Sequence, residues 1–130
     1  MTETTSIAGT VYRIADLRPI ADRLPTVEVA IGQLREAAGP GHTYWIDRAG
    51  HHIGPDDLLK DWEAAKRHPD WADHVATIEQ ADLTDPIWLY EDGSIIDGVH
   101  RLTRALRDGV EQVPVKYFQA SDLPKEAHGH

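Results

Sequence analysis

The stretch that most constrains this chain is PIWLYEDGSIIDGVHRLTRALRDGVEQVPVKYF, residues 86–118. Its glycines and turn residues divide it into strand, tight turn, strand, helix and strand. Residues 86–90 are apolar and β-prone. Asp92-Gly93 supplies the positive φ that a tight hairpin needs, and Ile95-Ile96 resumes the strand. At Asp97-Gly98 the chain leaves the sheet and starts a helix. Val99, Leu102, Ala105 and Leu106 give that helix one apolar face, Gly109 fits its C-terminal cap, and residues 113–118 form a further strand.

The chemistry of the stretch sits where strand becomes helix. A glycine lets the backbone turn sharply and lets a ligand approach the main chain. The first turn of a helix carries free N–H groups and partial positive charge, so it suits an anion. From Gly98 to Arg107 there are three arginines (Arg101, Arg104 and Arg107), one histidine and no acid, within a chain of net charge −9. Phosphate or carboxylate is the natural guest for such a corner. In that reading Gly98, Val99, His100 and Arg101 hold the anion. Arg101 pairs with its oxygens, and His100 donates a hydrogen bond or acts as acid or base. Arg104 adds a further contact or is a solvated helix residue. Asp97 caps the helix, orients His100 or holds Mg²⁺.

The ordered set Ile95-Ile96-Asp97-Gly98-Val99-His100-Arg101, Ala105, Gly109 and Val113-Pro114-Val115 resembles the ParB/sulfiredoxin fold in its Asp-Gly-x-His-Arg branch. The match covers the last third of the chain; the rest resembles that fold only loosely. It implies a small α/β domain whose Gly-x-His-Arg corner holds nucleotide phosphates. The implied ligands are ATP or ADP with Mg²⁺ and a small hydroxylated acceptor. Sulfiredoxins carry a cysteine where this chain has Val99, and there is no cysteine anywhere, so sulfinic-acid reduction is excluded. DNA-partition CTPases carry Gly-Glu-Arg-Arg where this chain has Gly98-Val99-His100-Arg101. The expected activity is therefore a free-amino-acid-kinase-like phosphotransfer, with a noncatalytic small-anion- or nucleotide-sensing or partner-binding module as the alternative. A ParB-like nuclease or CTPase comes third, disfavoured by the acidic charge. In the free-serine-kinase branch an early glutamate is the catalytic base. Glu28 resembles it in rough order, although a solvent-facing strand residue is the preferred reading.

The remaining sequence predicts one domain over residues 1–130, with frayed tails at 1–9 and 125–130. A composition of 41% hydrophobic and 27% charged residues is that of an ordinary globular chain. No signal peptide or membrane-spanning run is visible, so the expected address is the cytoplasm, with no membrane or general nucleic-acid partner. A homodimer is compatible with the sequence. Strands are expected at 10–14 and 26–31, a loop with a turn of helix at 15–25, and a short helix at 32–38. A second hairpin spans 43–53, and two helices follow on either side of His68-Pro69. Trp71, Val75 and Ile78 form a core face. Tyr44, Trp45 and His52 in the second hairpin are candidates for a pocket wall, weighed evenly against packing for Trp45 and surface for the histidines. No histidine spacing suggests zinc, and the metal ligands are unassigned. The expected fold class is α+β, with a small mixed β-sheet, a covering helical pair and the strand–helix–strand corner.

Overall fold

The computed structural model describes residues 3–39 and 42–124; residues 1–2, 40–41 and 125–130, including the predicted C-terminal tail, lie outside the description. The fold is α+β. Its centre is a mixed four-stranded sheet in the order β3-β8-β6-β7. These strands are β3 (Val27–Ala30), β6 (Ile87–Tyr90), β7 (Ile95–Asp97) and β8 (Gln112–Phe118). Strand β8 lies antiparallel to β3 and parallel to β6, and β6 pairs antiparallel with β7. Two small hairpins flank the sheet: β1 (Thr4–Ile7) with β2 (Thr10–Arg13), and β4 (Trp45–Ile46) with β5 (His52–Ile53).

Both sheet faces are covered, as the unbroken burial of β6 requires. Ile87 and Leu89 point to one side, where Val113, Val115, Leu102 and Ala105 complete a core under helix α5 (Val99–Asp108). Trp88 and Tyr90 point to the other, where Phe118 and Ile96 meet Ile7 and Tyr12 of the first hairpin and Leu17 of helix α1 (Ile14–Ala21). Pro19 inside α1 is the reason the sequence favours a loop there. The helix forms because Ile14, Leu17 and Ala21, at i, i+3 and i+7, bury one stripe while Pro19 stays exposed. Lys116 donates to the Ala21 carbonyl at 2.6 Å, tying the C-terminal end of α1 to the sheet.

The expected helical pair is present, but as three pieces that do not lie on the sheet. They are α2 (Pro55–Leu59), α3 (Trp62–Arg67) and α4 (Ala72–Glu79). Asp61 breaks the first expected helix and starts the next by accepting the Ala64 N–H at 3.1 Å. Elements α2 and α4 pack against α5, and Leu58, Ala65, Val75 and Ile78 form a third core with Trp45, Trp62 and Trp71 around it. Helix α5 thus stands between the sheet and helices α2 and α4. Segment 31–38 is two 3₁₀ turns in place of the predicted short helix.

Two local features shape the β7–α5 corner. The expected frayed N-terminus is ordered from residue 3, because Ala8 and Gly9 both take positive φ and close a two-residue hairpin between β1 and β2. On β7, Trp88 pairs with Asp97 while the next residue, Leu89, pairs with Ile95, so Ile96 is an extra residue. This β-bulge turns Asp97 to the same side of the sheet as Trp88, away from the α5 face.

Gly98 has φ +111°, and a Cβ there would stand 3.2 Å from the Ile87 side chain and 3.0 Å from Arg101 Nη1. Gly98→Ala is expected to destabilise the protein by about 1–3 kcal/mol, from left-handed strain plus crowding. Urea unfolding should show a lowered midpoint with an unchanged slope.

Candidate functional site

A cleft of about 790 Å³ opens at the β7–α5 corner. One wall is the N-terminal arm, with Glu3, Thr4 and Thr5. A second is Tyr44 and Trp45. The third is the C-terminal end of α4 with the following loop, including Thr77, Asp82 and Asp85. The floor is the corner itself, Ile95 to Arg101. Helix α5 begins at Gly98 without a side-chain cap, so its first turn meets the cleft bare.

Asp97, Gly98, Val99, His100 and Arg101, singled out in the sequence, all line this cleft, as do Tyr44 and Trp45. The other three candidates do not. Glu28 is an exposed residue of β3, and the strand order puts three inter-strand steps, ~14 Å, between its strand and β7. His52 lies opposite Ile46 in the second hairpin, whereas Trp45 lies opposite Ile53. Strand alternation sends Trp45 and Ile53 inward and His52 outward, where it lines a separate groove of about 190 Å³ with Asp56 and Lys60.

Arg104 is turned away by its own hydrogen bonds. It donates to the carbonyls of Glu79, at 3.0 Å, and Ala81, at 2.5 Å, and meets Asp108 at 3.3 Å. It satisfies carbonyls at the end of α4 and clamps α4 to α5. Arg107 reaches Asp108 at 2.8 Å and lies 4.8 Å over the Trp62 ring. The acid-free run from Gly98 to Arg107 is therefore neutralised from both ends, because Asp97 and Asp108 bound it and fold back on it.

Arg101 alone carries positive charge in the described lining, beside the carboxylates of Glu3, Asp82, Asp85 and Asp97. Its Nη1 donates to the Pro86 carbonyl at 2.9 Å, and Nη2 stands 3.8 Å from Asp97. The guanidinium thus joins the start of α5 to the start of β6. Burial pushes the Asp97 carboxyl above the usual carboxylate range; Arg101 opposes this and Glu3 reinforces it. Asp82 is held below that range by the Thr84 hydroxyl, at 2.6 Å, and the Thr84 N–H, at 2.9 Å.

His100 is stacked, not solvated. Its ring centroid lies 4.7 Å from that of Trp45 with an 11° interplanar angle. His74 lies 5.2 Å from Trp45 and 6.0 Å from His100. Two rings on opposite faces of an indole would be separated by about 7 Å in stacking distance alone, so both imidazoles share one face of Trp45. This cluster joins β4, α4 and α5. The hairpin is also held by buried Asp47, which accepts from Trp71 Nε1 and from the His51 N–H, both at 2.9 Å.

Burial, with help from His74 and Arg101, lowers the His100 pKa to about 4, so the ring is neutral at pH 7. Its Nε2 is buried without a hydrogen-bond partner, among the described residues. His100 is therefore a neutral stacked ring at this corner.

Glu3, Asp82, Asp85, Thr5 and His74 were not singled out from the sequence. The legible signal for the first of them was Ala8-Gly9 between two β-branched runs, a hairpin signature that orders the arm. The acids at 82 and 85 stand in a connecting loop whose path no local pattern specifies. The chain matches no protein-family model, no curated protein and no solved structure.

His100 makes stability pH-dependent with a definite sign. Its folded pKa lies below its unfolded value, so the contribution is fully present above about pH 6.5 and is lost as pH falls toward 4. His100→Phe keeps the stack and removes the titration. The difference between urea midpoints at pH 7 and pH 4.5 should be smaller in the variant than in wild type; equal differences would contradict the burial of a neutral ring.

Proposed function

We propose that the cleft binds the phosphate of a nucleotide at the start of α5, as the ParB/sulfiredoxin-like resemblance implies. The chemistry we assign to it is Mg²⁺-dependent phosphoryl transfer from ATP or ADP to a small hydroxylated metabolite such as a free amino acid. One observation carries the reading: the uncapped first turn of a ten-residue helix opens on a cleft large enough for a nucleotide-sized ligand. Tyr44 and Trp45 offer aromatic surface in the same cleft. Among the described residues no three His, Asp or Glu side chains are grouped to hold a metal ion. Mg²⁺ in this reading is the counter-ion the nucleotide brings, with Asp97 the carboxylate at the corner. No helix among the described residues is long and apolar enough to cross a membrane.

A noncatalytic anion- or nucleotide-sensing module is the second reading. It is favoured by the commitment of Arg104 to carbonyls and by the distance of Glu28, which together leave fewer groups for transfer chemistry.

Thermal unfolding with ATP, ADP, CTP or inorganic phosphate, each with Mg²⁺, tests the shared part of both readings. A ligand at 100 times its Kd adds about 2.7 kcal/mol of stability. Val99→Glu puts a carboxylate into the first helical turn, where the helix tolerates it and an anion does not. The expected result is stabilisation of wild type by one nucleotide and its loss in Val99→Glu. No stabilisation by any of the four would overturn the anion site. Turnover of ATP or ADP with hydroxylated amino acids separates transferase from sensing module.

A further inference from the structure

We infer that His100 is the covalent nucleophile of the cleft, taking the terminal phosphoryl group on Nδ1 and passing it to the acceptor hydroxyl. The inference rests on the phosphotransfer reading and adds to it an enzyme-bound intermediate.

The two nitrogens of the ring have opposite surroundings. Nε2 is buried and has no hydrogen-bond partner among the described residues. Nδ1 also makes no hydrogen bond among them, yet it is not buried. His100 lines the cleft, so Nδ1 is the ring nitrogen it offers to a ligand there. A neutral imidazole carries its hydrogen on one nitrogen, and hydrogen-bond partners decide which. No described acceptor holds a hydrogen on Nδ1. The hydrogen therefore rests on Nε2, the form a free imidazole prefers, and the Nδ1 lone pair is left for the cleft.

Three features suit that lone pair to attack. The ring is neutral at pH 7, because burial disfavours its charged form. Its plane is fixed by the stack on Trp45, 4.7 Å away at an angle of 11°, with His74 beside it. It stands in the first turn of α5, where bare N–H groups meet a phosphate. Glu28 lies outside the cleft, and neutral Nδ1 has no proton to lose, so the first transfer needs no base.

In that first transfer Nδ1 forms a bond to the terminal phosphorus. The bridging P–O bond breaks, and its electron pair leaves on the shortened nucleotide. In the second, the acceptor oxygen bonds to the same phosphorus. The N–P bond breaks, its electron pair returns to Nδ1, and the hydroxyl proton passes to water. Burial of Nε2 disfavours the positive charge of a phosphorylated ring, so the intermediate gives up its phosphoryl group readily.

Nitrogen NMR of the histidine rings at pH 7 reads the nucleophile without turnover. His100 should carry its hydrogen on Nε2; a hydrogen on Nδ1 overturns the inference. Wild type incubated with ATP or ADP and Mg²⁺, without acceptor, should gain one phosphoryl group that is lost in acid and kept in base. Fragment masses of that wild-type protein should place it on His100. The gain should be absent from His100→Phe, which keeps the stack, and present in His52→Gln, whose ring lies in the separate groove. Stabilisation of wild type by nucleotide with no phosphoryl group gained, or with one mapped elsewhere, overturns the nucleophile and leaves the phosphate site standing. Failure of every nucleotide to stabilise wild type is a separate result: it removes the phosphotransfer reading and the covalent step with it.

Discussion

Gly98, with Ile87 packed beneath it and Arg101 folded across it, fixes where β7 ends and α5 begins. Its left-handed backbone lets the chain reverse within one residue, so the helix starts at the sheet edge without a linker. Arg101 then returns to the Pro86 carbonyl, joining the first turn of α5 to the residue just before β6. The direction of α5, the depth of the cleft and the seating of α2 and α4 on the outer side of α5 all follow from that corner. The bulge at Ile96 adds the second half of the geometry, because it decides which side of the sheet Asp97 serves.

The charge of the cleft is more mixed than a basic corner suggests. Two of the three arginines on α5 are occupied in holding helices together: Arg104 on the end of α4, and Arg107 on Asp108 and Trp62. What faces the cleft is one guanidinium, a bare helix start and several carboxylates. A free phosphate meets attraction from backbone dipoles and repulsion from acids. A phosphate that arrives with its own divalent cation meets less repulsion, since the acids then face a positive neighbour. On the proposed reading, a phosphate accompanied by a divalent cation suits this lining better than a bare anion.

The corner was legible from sequence because each of its parts is local. Asp92-Gly93 marks a hairpin, Gly98 and Gly109 bracket a helix, and the apolar period of Val99, Leu102 and Ala105 gives its buried face. The second hairpin and the Trp71–Val75–Ile78 face were legible for the same reason. What escaped was set by contacts distant in sequence. Pro19 argues against a helix until the packing of Leu17 on the sheet outweighs it. The roles of Arg104 and Arg107 depend on Asp108, Trp62 and the carbonyls of α4, which no window of a few residues contains. Glu28 fits by order along the chain, yet strand order, a nonlocal property, puts it at the far edge. Glu3 enters the cleft only because the first hairpin folds back onto β7. Stacking of His100 on Trp45 likewise joins residues from opposite halves of the chain.

The most direct test of the account is an amide NMR titration with ATP and Mg²⁺, repeated with inorganic phosphate. If the start of α5 holds phosphate, the N–H signals of Val99, His100 and Arg101 shift most, with saturable dependence on ligand and smaller shifts at Trp45. Saturable shifts confined to the groove around His52 and Lys60, or no saturable shift at the first turn of α5, would contradict the central claim.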